Sequence, residues 1–254
     1  MHTGSITSHI DVAQVVLYAF WVFFALLILY LRREDKREGY PLVEGAIGAE
    51  GDGVTPIPAP KIFTLADGRT VQAPSGRPDD RRLNAEPLAD LPGWPLTPIG
   101  NPLLAGVGPG SYAERQDRPD FTTSGAPRIV PLRTDPAFHL DPRDPDPRGM
   151  KVLGADNRLA GVVHDVWVDR SETIIRYLEV EVAGAAPVLL PMALARINGW
   201  TRDIKVDSIL STQFAQVPGH RSPDQVTLLE EDKIYGYYGA GKLYATPSRA
   251  EPMI

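Results

Sequence analysis

From Val12 to Leu31 the chain is apolar without a break, Gln14 being its only strongly polar member. At 1.5 Å per residue a helix of that length covers about 30 Å, the thickness of bilayer hydrocarbon. Because the run is apolar on every face, it does not read as a core helix, which keeps a polar side. A cleaved leader would need basic residues before the run and a small-residue cleavage site after it. Neither is present: no Lys or Arg precedes Val12, and Arg32-Arg33-Glu34-Asp35-Lys36-Arg37 follows. The pattern predicts a transmembrane helix over 12–31. The basic residues Arg32, Arg33, Lys36 and Arg37 put its C-terminal side in the cytoplasm and residues 1–11 outside it.

Beyond the helix the pattern changes three times. Residues 38–60 are rich in Gly, Pro and Ala and read as an extended connector. Lys61 to Ala73 alternates around Asp67-Gly68 and predicts a hairpin. Pro74 to Pro147 has little periodicity and many prolines, yet it keeps Trp94, Leu96, Ile99, Leu103, Leu104, Val107, Tyr112 and Phe138. Disordered chain lacks such residues, so this stretch is expected to be irregular but packed, with 32–148 as a whole lying on a larger partner surface. From Gly149 short β-type runs take over: Val152-Leu153, Gly161 to Asp169, Ile174 to Val182, Val188 to Pro191 and Ile204 to Val206. Evenly spaced short strands predict a small antiparallel barrel or curled sheet over 149–246. A short helical stretch is expected over Ser208 to Phe214. A C-terminal helix is expected to start at Ser222-Pro223-Asp224 and to carry Val226, Leu229, Lys233, Ile234 and Tyr237 at helical spacing. Residues 247–254 read as a tail.

Composition removes several classes of function. The net charge of −6 does not suit a nucleic-acid surface, which needs a basic face. Without cysteine there is no disulfide, thiolate nucleophile or cysteine metal site. The five histidines, His2, His9, His139, His164 and His220, include no i, i+4 pair, so no metal site is expected from this chain alone. A phosphate loop, a dinucleotide fingerprint and a nucleophile elbow are all missing. An autonomous enzyme is therefore not expected.

What remains is acids beside strands. Asp165, Asp169, Glu172, Glu179 and Glu181 fall close together, with Arg170 and Arg176 among them. They read either as a solvated, salt-bridged sheet face or as a chain of protonatable groups whose crowding raises their pKa values.

Several short stretches carry a resemblance: Arg37-Glu38-Gly39-Tyr40-Pro41-Leu42, Pro98 to Pro102, Val107 to Tyr112, Asp165 to Asp169, Arg176 to Glu179 and Val226 to Lys233. In this order, behind a single N-terminal span, they resemble the H subunit of the photosynthetic reaction centre of purple bacteria over essentially the full length. The resemblance implies a single transmembrane helix and a mainly β cytoplasmic domain, a small barrel of the PRC type with a C-terminal helix. It implies a subunit that caps the L and M subunits in the photosynthetic inner membrane, with light-harvesting antenna, a cytochrome subunit and lipid as further possible neighbours. Bacteriochlorophyll, bacteriopheophytin, quinones and non-haem iron would sit on L and M and not be ligated by this chain. Proton delivery to the secondary quinone is implied, with Glu172 as relay or electrostatic tuner, Asp169 second, and Arg176 beside them. Some members carry an Asp and a His pair near the proton uptake point; here the histidines are missing and Asp120 is the nearest acid. Arg37, Glu38, Tyr40 and Trp21 are the expected partner contacts. The alternative is a membrane-tethered adaptor using the same barrel to bind another protein, since a fold does not fix function.

Overall fold

The structure is a computed structural model and describes residues 4, 11–38, 58–75, 82–90 and 94–250. The chain forms two compact units, residues 1–81 and 82–254. In the first, α1 runs Val12–Asp35, long and apolar enough to cross a membrane and with no residue buried within the chain. Gln14, the polar intruder, has a local task. Its backbone N–H donates to Asp11 Oδ1 at 2.8 Å and its side chain accepts from the Asp11 N–H at 3.2 Å. That reciprocal pair closes the helix N-terminus. The helix outlasts the apolar run by four residues because Arg32 to Asp35 are sound helix formers, and Arg32 and Arg33 suit the negative end of the dipole.

The hairpin forms as the alternation predicts, from β1 (Lys61–Thr64) and β2 (Thr70–Ala73), with Phe63 paired to Val71. Gly68 takes φ +82° at its turn, a conformation glycine adopts without steric cost. The connector over 39–57, Tyr40 included, lies outside the described residues.

The second unit opens with a two-stranded sheet of β3 (Ala85–Pro87) and β4 (Leu96–Pro98). It then builds a curled seven-stranded sheet from β5 (Ile129–Pro131), β6 (Lys151–Leu153), β7 (Leu159–Asp169), β8 (Ile174–Glu181), β9 (Val188–Pro191), β10 (Arg196–Asn198) and β11 (Asp203–Lys205). The order is β10-β11-β6-β7-β8-β9, with β11 and β6 parallel and the other pairs antiparallel. β7 is the spine. β8 covers one edge along its length, while β6 and β5 share the other end to end, at Leu159–Val162 and Trp167–Asp169. Register shifts between Val163 and Asp165 and between Trp167 and Val168 bend it, as bulges do.

Four strands differ from the sequence reading. β3, β4 and β5 lie inside the stretch read as irregular, each only three residues long and ending in proline; β10 is too short and polar to alternate. The 3₁₀ segment Ser211–Gln216 stands where helical turns were expected.

The C-terminal helix, α2, spans Leu228–Tyr244 and starts later than predicted. Thr227 is the N-cap: its hydroxyl accepts from the Glu230 N–H at 3.1 Å, and the Glu230 carboxylate accepts from the Thr227 N–H at 2.8 Å. Ser222 is taken up in a local bridge to Gln225 instead. α2 buries Ile234, Tyr237 and Tyr238 against a core of Met150, Val166, Trp167, Tyr177, Leu178, Leu190, Ile204, Ile209 and Phe214. The 3₁₀ turn Gly108–Gly110 lies directly on α2: a Cβ on Gly236 would stand 2.8 Å from the Gly110 carbonyl oxygen. Of the apolar residues in the irregular stretch, Leu103 and Val107 are buried within this chain, whereas Trp94, Leu96, Ile99 and Leu104 stay exposed.

Candidate functional site

The pairing of β5 with β7 sets Ile129 opposite Asp169 and so brings Arg128 to the end of β7. Arg128 is the residue around which the acids gather. Its Nε lies 3.0 Å from both Asp169 carboxylate oxygens, Nη2 donates to Glu172 Oε1 at 2.5 Å, and Nη1 donates to Asp120 Oδ2 at 3.2 Å. Asp169 is fully buried, Asp120 is 39% exposed and Glu172 is 52% exposed at the side chain. Three carboxylates on one guanidinium leave an excess of negative charge, graded from a buried inner acid to two outer ones.

Asp169 also organises the turn between β7 and β8. Its Oδ1 accepts from the backbone N–H of Ser171 at 2.9 Å and of Glu172 at 3.0 Å, and its carbonyl accepts from the N–H of Thr173, which takes a left-handed φ of +58°. Burial pushes the Asp169 carboxyl up, but Arg128 and these two N–H groups outweigh it and hold it below the usual carboxylate range. Asp169 is thus a fixed anion near neutral pH. Arg128 is a fixed cation, raised further chiefly by its hydrogen bonds to Asp169.

Arg176 does not join this group. Its Nε is buried without a hydrogen-bond partner among the described residues, and its charge acts on Glu231 in the first turn of α2. Glu231 is buried and accepts from the Tyr177 hydroxyl at 2.6 Å. Burial raises its pKa, with Tyr177 and Arg176 pulling the other way and the charge of Asp120 adding to the rise. Glu231 is a protonatable buried acid that sequence reading missed, because Val226 to Lys233 reads simply as the start of a helix.

The remaining acids form a second cluster. Asp165 and Glu179 face each other across β7 and β8, and both are buried. Arg133, in the turn after β5, donates to Asp165 at 3.2 Å and to Glu179 at 2.7 Å, and the Trp167 indole N–H donates to Glu179 at 2.7 Å. Glu181 stands apart, paired with His164 at 3.1 Å on the exposed surface of the sheet. The acids near β7 and β8 are therefore two arginine-centred clusters and an outlying pair. Among the described residues no group of three or more His, Asp or Glu is arranged to hold a metal ion.

In the first unit, Trp21 is exposed on α1, its ring 5.5 Å from that of Phe20 and 6.0 Å from that of Phe24. Arg37, 3.5 Å from Glu34, and Glu38 belong to the 3₁₀ turn Lys36–Glu38 that ends the helix.

Two family models match this chain. One, described as the photosynthetic reaction centre H-chain N-terminal region, covers residues 4–134; the other, the PRC-barrel domain, covers residues 143–213. The second takes in β6 to β11, so the curled sheet is a PRC-type barrel fold preceded by an apolar N-terminal helix and followed by α2.

Proposed function

We propose, from the premise that this chain belongs to the photosynthetic reaction centre H-chain family, that it caps the cytoplasmic face of L and M, shields the quinone region from water and passes protons inward to the secondary quinone. Membership makes it a reaction-centre subunit that associates with L and M, and its one candidate membrane helix suggests a single-pass protein. In this reading the N-terminus is extracytoplasmic, the pigments, quinones and iron sit on L and M, and the chain catalyses no reaction of its own. The exposed Trp94, Leu96, Ile99 and Leu104 supply apolar surface for a partner to cover. The barrel match taken alone would allow a membrane-tethered adaptor; the H-chain match over 4–134 favours the reaction-centre reading.

The observation that carries proton delivery is the Arg128 junction. A quinone taking up two electrons takes up two protons, and charge left uncompensated in a low-dielectric site is heavily penalised. Asp169 supplies a permanent negative charge that favours cations nearby. Glu172, half exposed, with its side chain joined to the cluster through Arg128 and its backbone N–H through Asp169, is the acid placed to hand a proton from water to the cluster. Asp120 offers a second outer acceptor, and Glu231, with its raised pKa and the Tyr177 hydroxyl beside it, is suited to the inward step. Glu172→Gln is expected to slow the second, proton-coupled electron transfer on the order of tenfold, or about 1.4 kcal/mol of barrier, with primary charge separation unchanged. Equal transfer rates in variant and parent across the pH range would take Glu172 off the route. The subunit assignment has its own test: near-infrared bacteriochlorophyll bands should co-purify with the chain in detergent.

A further inference from the structure

The hairpin β1–β2 is an anomaly for a water-facing element. Every residue of both strands is exposed within the chain, including Ile62 at 72%, Phe63 at 51% and Val71 at 45%, with Leu65 at 40% just beyond β1. A two-stranded hairpin is marginal in water, and one that leaves this much apolar surface uncovered needs an apolar neighbour. The register sets Phe63 beside Val71 on one face, with Leu65 two residues on from Phe63, and Ile62 on the other, so apolar side chains lie on both faces of the hairpin.

Its position says what the neighbour is. Lys61, the first residue of β1, places Nζ 2.6 Å from Glu34 Oε2. Glu34 lies in the last turn of α1, three residues beyond the end of the apolar run at Leu31. Three residues of helix rise only about 4.5 Å, whereas the headgroup layer on each side of a bilayer is roughly 5–8 Å deep. The ion pair therefore starts the hairpin at headgroup depth. Lying in the membrane plane, its strands, about 13 Å long, stay within reach of the acyl boundary along their length. Apolar and aromatic side chains flanked by basic ones, here Lys61 and Arg69, are the composition that settles at such a boundary.

We propose that β1–β2 is a second membrane contact of this chain: it lies in the lipid interface of the leaflet where α1 ends, with Ile62, Phe63 and Leu65 as its apolar anchors and the Lys61–Glu34 pair as its tether. The proposal rests on the reading of α1 as a membrane span. Its occupant is lipid, because the apolar surface continues from the end of that span.

The chain contains no cysteine, so introduced thiols can be labelled against the parent as background. Phe63→Cys, carrying an environment-sensitive fluorophore, would be measured in the whole complex reconstituted into phosphatidylcholine–phosphatidylglycerol vesicles. Doxyl-lipid quenchers at shallow and deep positions would be compared with aqueous iodide. The expected result is strong shallow-doxyl quenching with little effect of iodide. Lys61→Glu, which sets like charge against Glu34, is expected to raise iodide quenching of the Phe63 probe several-fold. A Phe63 probe open to iodide but blind to doxyl lipid overturns the proposal in favour of a solvated hairpin. A probe blind to both overturns it in favour of cover by another subunit, and a Lys61→Glu variant that changes nothing removes the tether. Labels at Phe23, Leu26 and Leu29 report the span separately: if none is reached by deep doxyl lipid, it is the reading of α1 that fails.

Discussion

Replacing Arg128 by leucine removes the one cation shared by Asp120, Asp169 and Glu172. The two outer acids lose little, since partly exposed pairs contribute about 0–1 kcal/mol each. Asp169 loses much more, because it is fully buried and stripping the partner from a buried charge costs about 3–5 kcal/mol. Two backbone N–H donors, from Ser171 and Glu172, remain to it, which puts the expected loss near 3 kcal/mol, the lower end of that range. The loss should also depend on pH. In the parent, the Asp169 carboxyl titrates below its unfolded value, so its stabilisation is present above that value and disappears as pH falls through the folded one. Without Arg128, burial prevails and the folded pKa moves up, so protonation relieves the penalty. The gap between parent and variant should therefore be widest at about pH 7.5 and should narrow toward about pH 4.5. Denaturant titration of the purified complex, followed by near-ultraviolet circular dichroism, measures both. Asp169→Asn is the companion variant: it leaves Arg128 only 25% exposed but still paired with Asp120 and Glu172, and should cost less. A gap that stays constant with pH, or an Asp169→Asn variant as damaged as Arg128→Leu, would refute the reasoning.

Other perturbations probe the same architecture. Gly236→Ala should destabilise by about 1–3 kcal/mol through overpacking, although alanine is the better helix former, because the new Cβ meets the Gly110 carbonyl at 2.8 Å; faster proteolysis within residues 109–121 would report it. Thr227→Ala removes the N-cap acceptor of α2 and its bond to Asp117, at a cost of about 1–2 kcal/mol in denaturant titration. His220 is partly buried with its ring 5.2 Å from Trp167, and desolvation holds its pKa below the usual imidazole value despite Glu179 and Glu230 nearby. Below that usual value the unfolded chain binds the extra proton first, so this residue makes stability fall as pH drops; His220→Phe should flatten that segment of the stability–pH curve.

Elements whose period is set by their own neighbours were legible in the sequence: the apolar helix, the Asp67-Gly68 hairpin and the strands β6 to β9. β5 was not, because Ile129-Val130 is too short to alternate and its strand character comes from the open edge of β7 beside Trp167 to Asp169. The start of α2 was misplaced for a related reason. Ser222-Pro223-Asp224 and Thr227 both carry start signals, and Thr227 prevails because Glu230 is three residues on to complete the capping box.

The candidate site divides along the same line. Its acids were visible as a local cluster, but Arg128 is 41 residues from Asp169 and Arg133 is 46 from Glu179. Both arginines flank β5, one on each side, so a three-residue strand that local pattern cannot reveal delivers both counter-charges at once. This ties the electrostatics to the fold. Without β5 on the β7 edge, Asp169, Asp165 and Glu179 would be buried carboxyl groups without their arginine partners, which is costly for any buried polar group. With β5 in place each of these buried acids is paired with an arginine, and Glu172, its side chain joined to the first cluster through Arg128, is the most exposed of that cluster's three carboxylates.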